Sequence, residues 1–249
     1  MDIKKRISRK FQSQTFDIDN NIEDIILLKT IALGYSITEN AIAVVSDLKN
    51  NNSYIYYGGL AKLLELAEVH SHETINSIWE DKIYKSIHKD DLSQKHINEL
   101  RFYNFIKSIP THRRKDFYIK EPLRMFDKKG NCIPVIHRMH YFYDNNNNIM
   151  FSLCLYNLNT DQNKEYPRIC NSISFQSYII NEENDKSILT DREIEILKLI
   201  EKGKRSIDIS EILSISKNTV SRHRQNILEK LQVRNSIEAC QTAKEMNLI

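Results

Sequence analysis

"KNTVSRHRQNILEKL", residues 217–231, decides how the carboxyl end of this chain is read. At 100° per residue, with Asn218 set at 0°, Arg222 falls at about 40°, Ser221 at about 300°, Gln225 at about 340° and Glu229 at about 20°. Val220, Ile227 and Leu231 gather near about 200°, 180° and 220° on the same wheel. One side of such a helix is apolar. The other presents Asn218, Ser221, Arg222 and Gln225, all able to hydrogen-bond. Arginine matches guanine edges, and asparagine or glutamine matches adenine edges. Lys217 opens the helix, where free backbone N–H groups suit a phosphate. The same face would also suit water, and a solvated surface helix in a small bundle is the plain alternative.

The flanking residues build a frame around this stretch. "TDRE", residues 190–193, is a capping box in which Thr190 caps the backbone and Glu193 reaches back. Ile194, Leu197, Leu199 and Ile200 form the apolar side of the helix that follows, and Gly203 ends it. Ser206 starts a second helix, "IDISEIL". "LSIS" turns the chain, and Ser216 caps the third helix. "VRNS" is another turn, and Ser236 caps a last helix, "IEACQTAKEM". A short helix, a tight turn and a second helix with a polar outer face make a helix-turn-helix. Charge agrees with a polyanionic partner: residues 202–234 carry eight Lys and Arg against three Asp and Glu, a local net charge of +5, where the whole chain carries +3.

"LTDREIEILKLIEKG", "SIDISEIL", "SISKNTVSRHRQNILEKLQV" and "RNSIEACQTAKEMNLI" together resemble the LuxR-type DNA-binding domain over residues 188–249. Thr219, Val220 and His223 match its T-V-x-x-H, and Lys230–Leu231 and the final "NLI" match as well. The resemblance implies base-facing roles for Ser221, Arg222 and Gln225. Ser221 stands where relatives commonly have lysine, so operator preference does not transfer. Lys217, Thr219, Arg224 and Lys230 are phosphate candidates, with Arg224 toward the buried flank. For His223, packing or a phosphate contact is expected over base reading. The last helix, with Ala239, Cys240 and Ala243, resembles the one through which such domains pair, and a homodimer on an inverted repeat of double-stranded DNA follows by analogy.

The rest of the chain divides by pattern. Residues 1–40 are a basic tail and a helix, with Asp19 as a possible cap and Ile22, Ile25, Ile26 and Ile31 on its apolar side. Within residues 41–158, "AIAVVSDL" and "SYIYYG" flank "KNNN" and read as a hairpin. A long helical stretch over 60–109 follows, broken near His70–His72 and His88–Asp91. Three alternating runs come next: Phe117, Ile119, Leu123 and Met125; Ile133, Val135, His137, Met139, Tyr141 and Tyr143; Ile149, Phe151, Leu153 and Leu155. "DKKGN" and "DNNNN" are the connecting turns. Residues 159–187 read as a polar linker, with a possible short strand at 173–180.

Two strands, a helical block and three strands predict a five-stranded antiparallel sheet with helices over one face. That order resembles a PAS sensor domain, and "IHKDDL", residues 87–92, resembles the family's HPDD motif with Lys89 in place of proline. Asp90 or Asp91 is the expected cap. The fold class expected is therefore α+β: a PAS-like sheet domain plus an all-α four-helix domain. A receiver domain would need alternating β and α units. An acyl-homoserine-lactone domain uses several tryptophans in relatives, and this chain has only Trp79.

No cofactor is required by the sequence. A small molecule or haem in the PAS pocket stays open, since haem needs a proximal ligand, usually histidine, and His70, His72, His88, His137 and His140 are candidates. Four cysteines, none in a C-x-x-C pair, read as free thiols. Gly58–Gly59 is followed by no phosphate-loop lysine, and no nucleophile–base pair has a recognisable spacing, so no enzyme is expected. No apolar run nears the roughly 18 residues a bilayer demands, and no apolar stretch follows the basic start. The expectation is a cytoplasmic transcription regulator, with DNA, a second copy of the chain and RNA polymerase as partners and no membrane. The competing expectation is an interaction module that docks on a partner regulator with little DNA contact.

Overall fold

A computed structural model describes residues 3–12, 14, 16, 22–161, 165–180, 189–231, 233–245 and 248–249. The chain divides into two compact units, residues 1–102 with 109–178, and residues 103–108 with 179–249.

The first unit is built on one antiparallel sheet. The hairpin is β1 (Ile42–Asp47) and β2 (Asn52–Tyr57), in register from Ile42 opposite Tyr57 to Asp47 opposite Asn52. Its turn is closed by Asp47 Oδ1, which accepts from the N–H groups of Lys49 and Asn50 at 3.1 and 2.9 Å. Asn51 then takes the left-handed conformation, φ +55°, that asparagine tolerates. The same chemistry closes the two later turns. Asp127 accepts from Lys129 and Asn131 beside Gly130 at φ +86°, and Asp144 accepts from Asn146 and Asn148 beside Asn147 at φ +60°. The asparagine clusters are thus turn formers.

The later strands are β4 (Phe117–Phe126), β5 (Cys132–Tyr143) and β6 (Ile149–Leu158). In β4 the residues Phe117, Ile119, Leu123 and Met125 are buried on one face, as their period of two requires. The sheet holds eight strands rather than the five expected, because three short strands, β3 (His72–Ile75), β7 (Arg168–Asn171) and β8 (Ser177–Ile179), extend its edges. The order is β3-β2-β1-β6-β5-β4-β7-β8. β3 lies inside the stretch expected to be helical. It pairs with β2 from Ile75 opposite Ser53 to His72 opposite Tyr56, and none of its residues is buried, so its sequence carries no apolar alternation.

Helices cover both faces of this sheet, not one. These are α1 (Ile3–Gln12), α2 (Ile22–Thr38), α3 (Gly59–Leu63), α4 (Asp81–Tyr84) and the part of α5 (Lys89–Ser108) up to residue 102. Leu28 and Ala32 of α2 pack on Ala43, Val45, Phe151, Leu153 and Leu155. Because β1 and β6 are covered on both sides, they are buried almost throughout. The inward side of α2 is therefore centred on Leu28 and Ala32; Ile26 and Ile31, expected inside, are 58% and 42% exposed. Asp19, the expected cap, lies outside the described residues. Gly58 is forced at the end of β2: a Cβ there would stand 2.3 Å from the Ser36 carbonyl oxygen and 2.6 Å from that of Ala41.

At the start of α5 the expected aspartate cap is absent. The Leu92 N–H reaches the His88 carbonyl at 2.8 Å, and Asp91 instead accepts from the backbone and guanidinium of Arg124 on β4. Those bonds hold the Asp91 carboxyl below its usual range, although its partial burial acts to raise it.

Candidate nucleic-acid interface

The second unit assembles four helices: α6 (Asp191–Glu201), α7 (Ser206–Ile212), α8 (Lys217–Leu231) and α9 (Ser236–Glu245). The capping box at the start of α6 is formed as the sequence dictates. The Glu193 N–H reaches Thr190 Oγ1 at 3.3 Å, and the Thr190 N–H reaches Glu193 Oε2 at 2.7 Å. Gly203, at φ +77°, ends α6. Ser214, at φ +51°, makes the turn between α7 and α8, and Arg192 Nη2 pins that turn by donating to the Leu213 carbonyl at 2.8 Å. Ser216 Oγ caps α8, accepting from the Thr219 N–H at 3.0 Å and lying 2.8 Å from the Thr219 hydroxyl. At α9 the cap is Asn235 rather than Ser236: its Oδ1 accepts from the Glu238 N–H at 2.9 Å.

The core of this unit fixes the rotation of α8. Val220, Ile227 and Leu231 are fully buried against Leu189, Ile196, Leu197, Ile209, Ala239, Ala243 and Leu248. Each such aliphatic side chain contributes about 1.5–3 kcal/mol when removed from water. With that stripe inward, Lys217, Asn218, Thr219, Ser221, Arg222 and Gln225 are all exposed. Among the described residues, the side chains of Lys217, Asn218, Ser221 and Arg222 have no hydrogen-bond partner in the chain. Gln225 Nε2 donates to Glu229 Oε1 one turn on, at 2.9 Å, an exposed bond that water or a base can replace. Lys202, Lys204 and Arg205 add exposed positive charge between α6 and α7.

Two of the expected phosphate ligands, Arg224 and Lys230, make hydrogen bonds within the unit. Arg224 is half-buried and its guanidinium donates to Ser206 Oγ at 3.1 Å and to Ser236 Oγ at 3.0 Å, joining the first residues of α7 and α9. Lys230 Nζ donates to Glu193 Oε2 at 2.6 Å, tying α8 to the capping box. That contact and the capping bonds hold the Glu193 carboxyl below its ordinary 4.5, although its burial acts to raise it. Both cations close the fold. His223 is half-buried, with Nδ1 unpartnered inside.

The small residues of α9, expected at a pairing surface, lie mostly within the unit's own core. Ala239 is 1% exposed and Ala243 is fully sealed, both inside the unit's own core, and Cys240 is half-buried with Sγ 3.9 Å from the Leu197 carbonyl. The outward side of α9 carries Ile237, Gln241 and Lys244, at the i, i+4, i+7 spacing of one face. Ile237 is 82% exposed. Sequence periodicity had no means of separating the two sides, since both carry small or apolar residues.

The first unit holds a second constellation, which the sequence pattern half showed. His137, in the alternating run of β5 with Met139 and Tyr141, is fully buried beside Glu121 of β4, with Nδ1 3.0 Å from Glu121 Oε1. Asn98 of α5 donates to Glu121 Oε2 at 2.9 Å. Burial pushes the Glu121 carboxyl up to about 8 and the His137 imidazole well below its usual range. Lys95 and Glu99, one turn apart on α5, form a buried ion pair. Among the described residues no group of three His, Cys, Asp or Glu side chains is placed to hold a metal ion, and no helix is long and apolar enough to cross a membrane.

A helix whose polar outer face is held out by a buried stripe, preceded by a short helix and a tight turn, defines a helix-turn-helix. The particular family follows from comparison: residues 187–243 match the luxR family of bacterial regulatory proteins, and the carboxyl-terminal unit is a LuxR-type domain. Over 60 residues, 24% of this chain and 41% of the relative, the chain is 47% identical to the uncharacterized response regulatory protein YgeK of Escherichia coli strain K12. Over 57 residues, 23% of this chain and 29% of the relative, it is 49% identical to the transcriptional regulatory protein DesR of Bacillus subtilis strain 168. The chain therefore spans less than half the length of these relatives. The crystal structure of the phage VqmA–DPO complex aligns over 91% of this chain and 89% of that one, at 12% identity and a TM-score of 0.33.

Proposed function

We propose that the chain is a sequence-specific, DNA-binding transcriptional regulator of the cytoplasm. Residues 188–249 contact duplex DNA, and the PAS-like region, 41–158, senses a signal. The observation that carries the reading is the exposure of Asn218, Ser221, Arg222 and Gln225 on one side of α8 while Val220, Ile227 and Leu231 anchor the other. Asn218, Ser221, Arg222 and Gln225 face base edges; Lys217 and Thr219, with Lys202, Lys204 and Arg205 nearby in sequence, face phosphates. Arg224 and Lys230 brace the domain. A homodimer places two such helices about one helical turn of DNA apart, about 34 Å. The outward stripe of α9, led by Ile237, is the pairing surface proposed, since Ala239 and Ala243 are sealed. RNA polymerase and a small ligand are the further partners of such a regulator.

Binding to a mixed genomic duplex pool, titrated with salt, tests the proposal. Affinity should fall about 10³-fold or more between 50 and 200 mM salt if about six phosphates are contacted. A flat response would favour a module that docks on a partner regulator.

A further inference from the structure

We propose that a cavity in the PAS-like unit is a binding site for a small arylalkylamine, a cationic amine on an aromatic ring, and that α1 is the plug over it. The inference rests on the reading of this unit as sensory. The cavity measures about 30 Å³, too small for more than a water or two. Its walls are aromatic and aliphatic: Trp79, Tyr84, Met139 and Tyr141 from the body of the unit, Ile7 and Phe11 from α1.

Glu80 also lines the cavity, and it is the polar group that points to a ligand. It is 2% exposed, and its Oε2 has no hydrogen-bond partner. Burial pushes its carboxyl up, although Lys95 and Tyr84 pull it down. A buried carboxyl oxygen left without a partner is costly unless a donor or a cation meets it. Glu80, Glu99 and Glu121 share this interior with Lys95, which is paired with Glu99.

The walls favour positive charge as well, because aromatic faces attract cations. The rim demonstrates it with the chain's own amine. Lys4 Nζ stands 4.5 Å from the Tyr84 ring centroid and 5.5 Å from that of Trp79, with Asp81 Oδ1 at 2.9 Å. Phe11 supplies the shape: its benzyl ring lies edge-on to Tyr141 with centroids 6.1 Å apart. A ligand ring takes the space Phe11 fills, and its ammonium meets Glu80 Oε2. The polar ties of α1 include the Lys4–Asp81 pair and the bond from Trp79 Nε1 to Ser8 Oγ at 2.9 Å. Ties at a surface are weak; burial of Ile7 and Phe11 anchors α1, and a ligand ring replaces that of Phe11.

The test is calorimetric titration of the full chain with benzylamine, benzyl alcohol and benzoate, on the native protein, Phe11→Ala and Glu80→Gln. Phe11→Ala opens a benzyl-sized space, and Phe11→Leu replaces it if the alanine variant does not fold. Benzylamine should bind the opened variant more tightly than the native chain. It should exceed benzyl alcohol by about 10- to 100-fold, and Glu80→Gln should erase that preference. Three probes binding alike, an amine preference that survives Glu80→Gln, or no binding to a folded opened variant would each overturn the site. Duplex affinity measured with and without benzylamine separates the two readings: binding without any change in DNA affinity removes the sensory role and leaves the site.

Discussion

Arg222 and Arg224 stand two residues apart on α8 and do opposite jobs. The helical wheel separates them by about 200°, and that much is legible in the sequence. What lies across from each is not: Ser206 and Ser236, which receive Arg224, are 18 and 12 residues away. Arg222→Ala should leave the urea midpoint unchanged, cost about 1–3 kcal/mol of duplex affinity and relax one base position. Arg224→Ala should lower the stability of the second unit by about 1–2 kcal/mol in urea unfolding, since charged donors leave two hydroxyls. Glu121 was invisible for a related reason. Its position on the inward face of β4 followed from the period of two, but a glutamate among Ile119, Leu123 and Met125 reads as an outlier until His137 and Asn98 are set beside it. Because burial raises its folded pKa above the ordinary 4.5 to about 8, the folded state holds a proton that the unfolded state releases. Stability should therefore fall as pH rises from about 4.5 to 8. Glu121→Gln should flatten that slope in urea titrations run across the same range. An unchanged slope would mean the carboxyl is ionised in the fold.

Among the elements, those with strong local chemistry were readable and those defined by a distant partner were not. The capping box of α6, the glycine stop at Gly203, the Asp–Asn turns and the three long strands all follow from residues close in sequence. β3 does not, because its pairing with β2 is an edge contact without burial. The rotation of α2 does not either: apolar residues surround it on every side, so only the docking of Leu28 and Ala32 on β1 and β6 selects the inward face. On α9, Ala239 and Ala243 likewise pack in their own unit's core, which their spacing alone does not show. Thr190→Ala, which removes the cap of α6, should cost the second unit about 1 kcal/mol in urea unfolding. The Glu193 carboxylate makes a sharper prediction. Its folded pKa lies below 4.5, so the stability it contributes is complete above that value and is lost as pH falls through the lowered one. Glu193→Gln should remove this acid-limb loss, and a wild-type loss retained by the variant would place its origin elsewhere.

At the scale of the whole molecule, charge and exposure converge on one unit. Residues 202–234 concentrate a net +5 in a chain whose total is +3, and the exposed polar face of α8 lies within them. The first unit contributes an open eight-stranded sheet, the buried Glu121–His137 pair and an aromatic cavity. The most direct measurement is selection of bound sequences from a randomised duplex pool by the native chain and by Arg222→Ala, side by side at one salt concentration. The native chain should enrich an inverted repeat, and the variant should enrich the same repeat with one symmetric position relaxed to near-random. Identical motifs from both proteins, or no enrichment by the native chain, would contradict the assignment of the outer face of α8 to base reading.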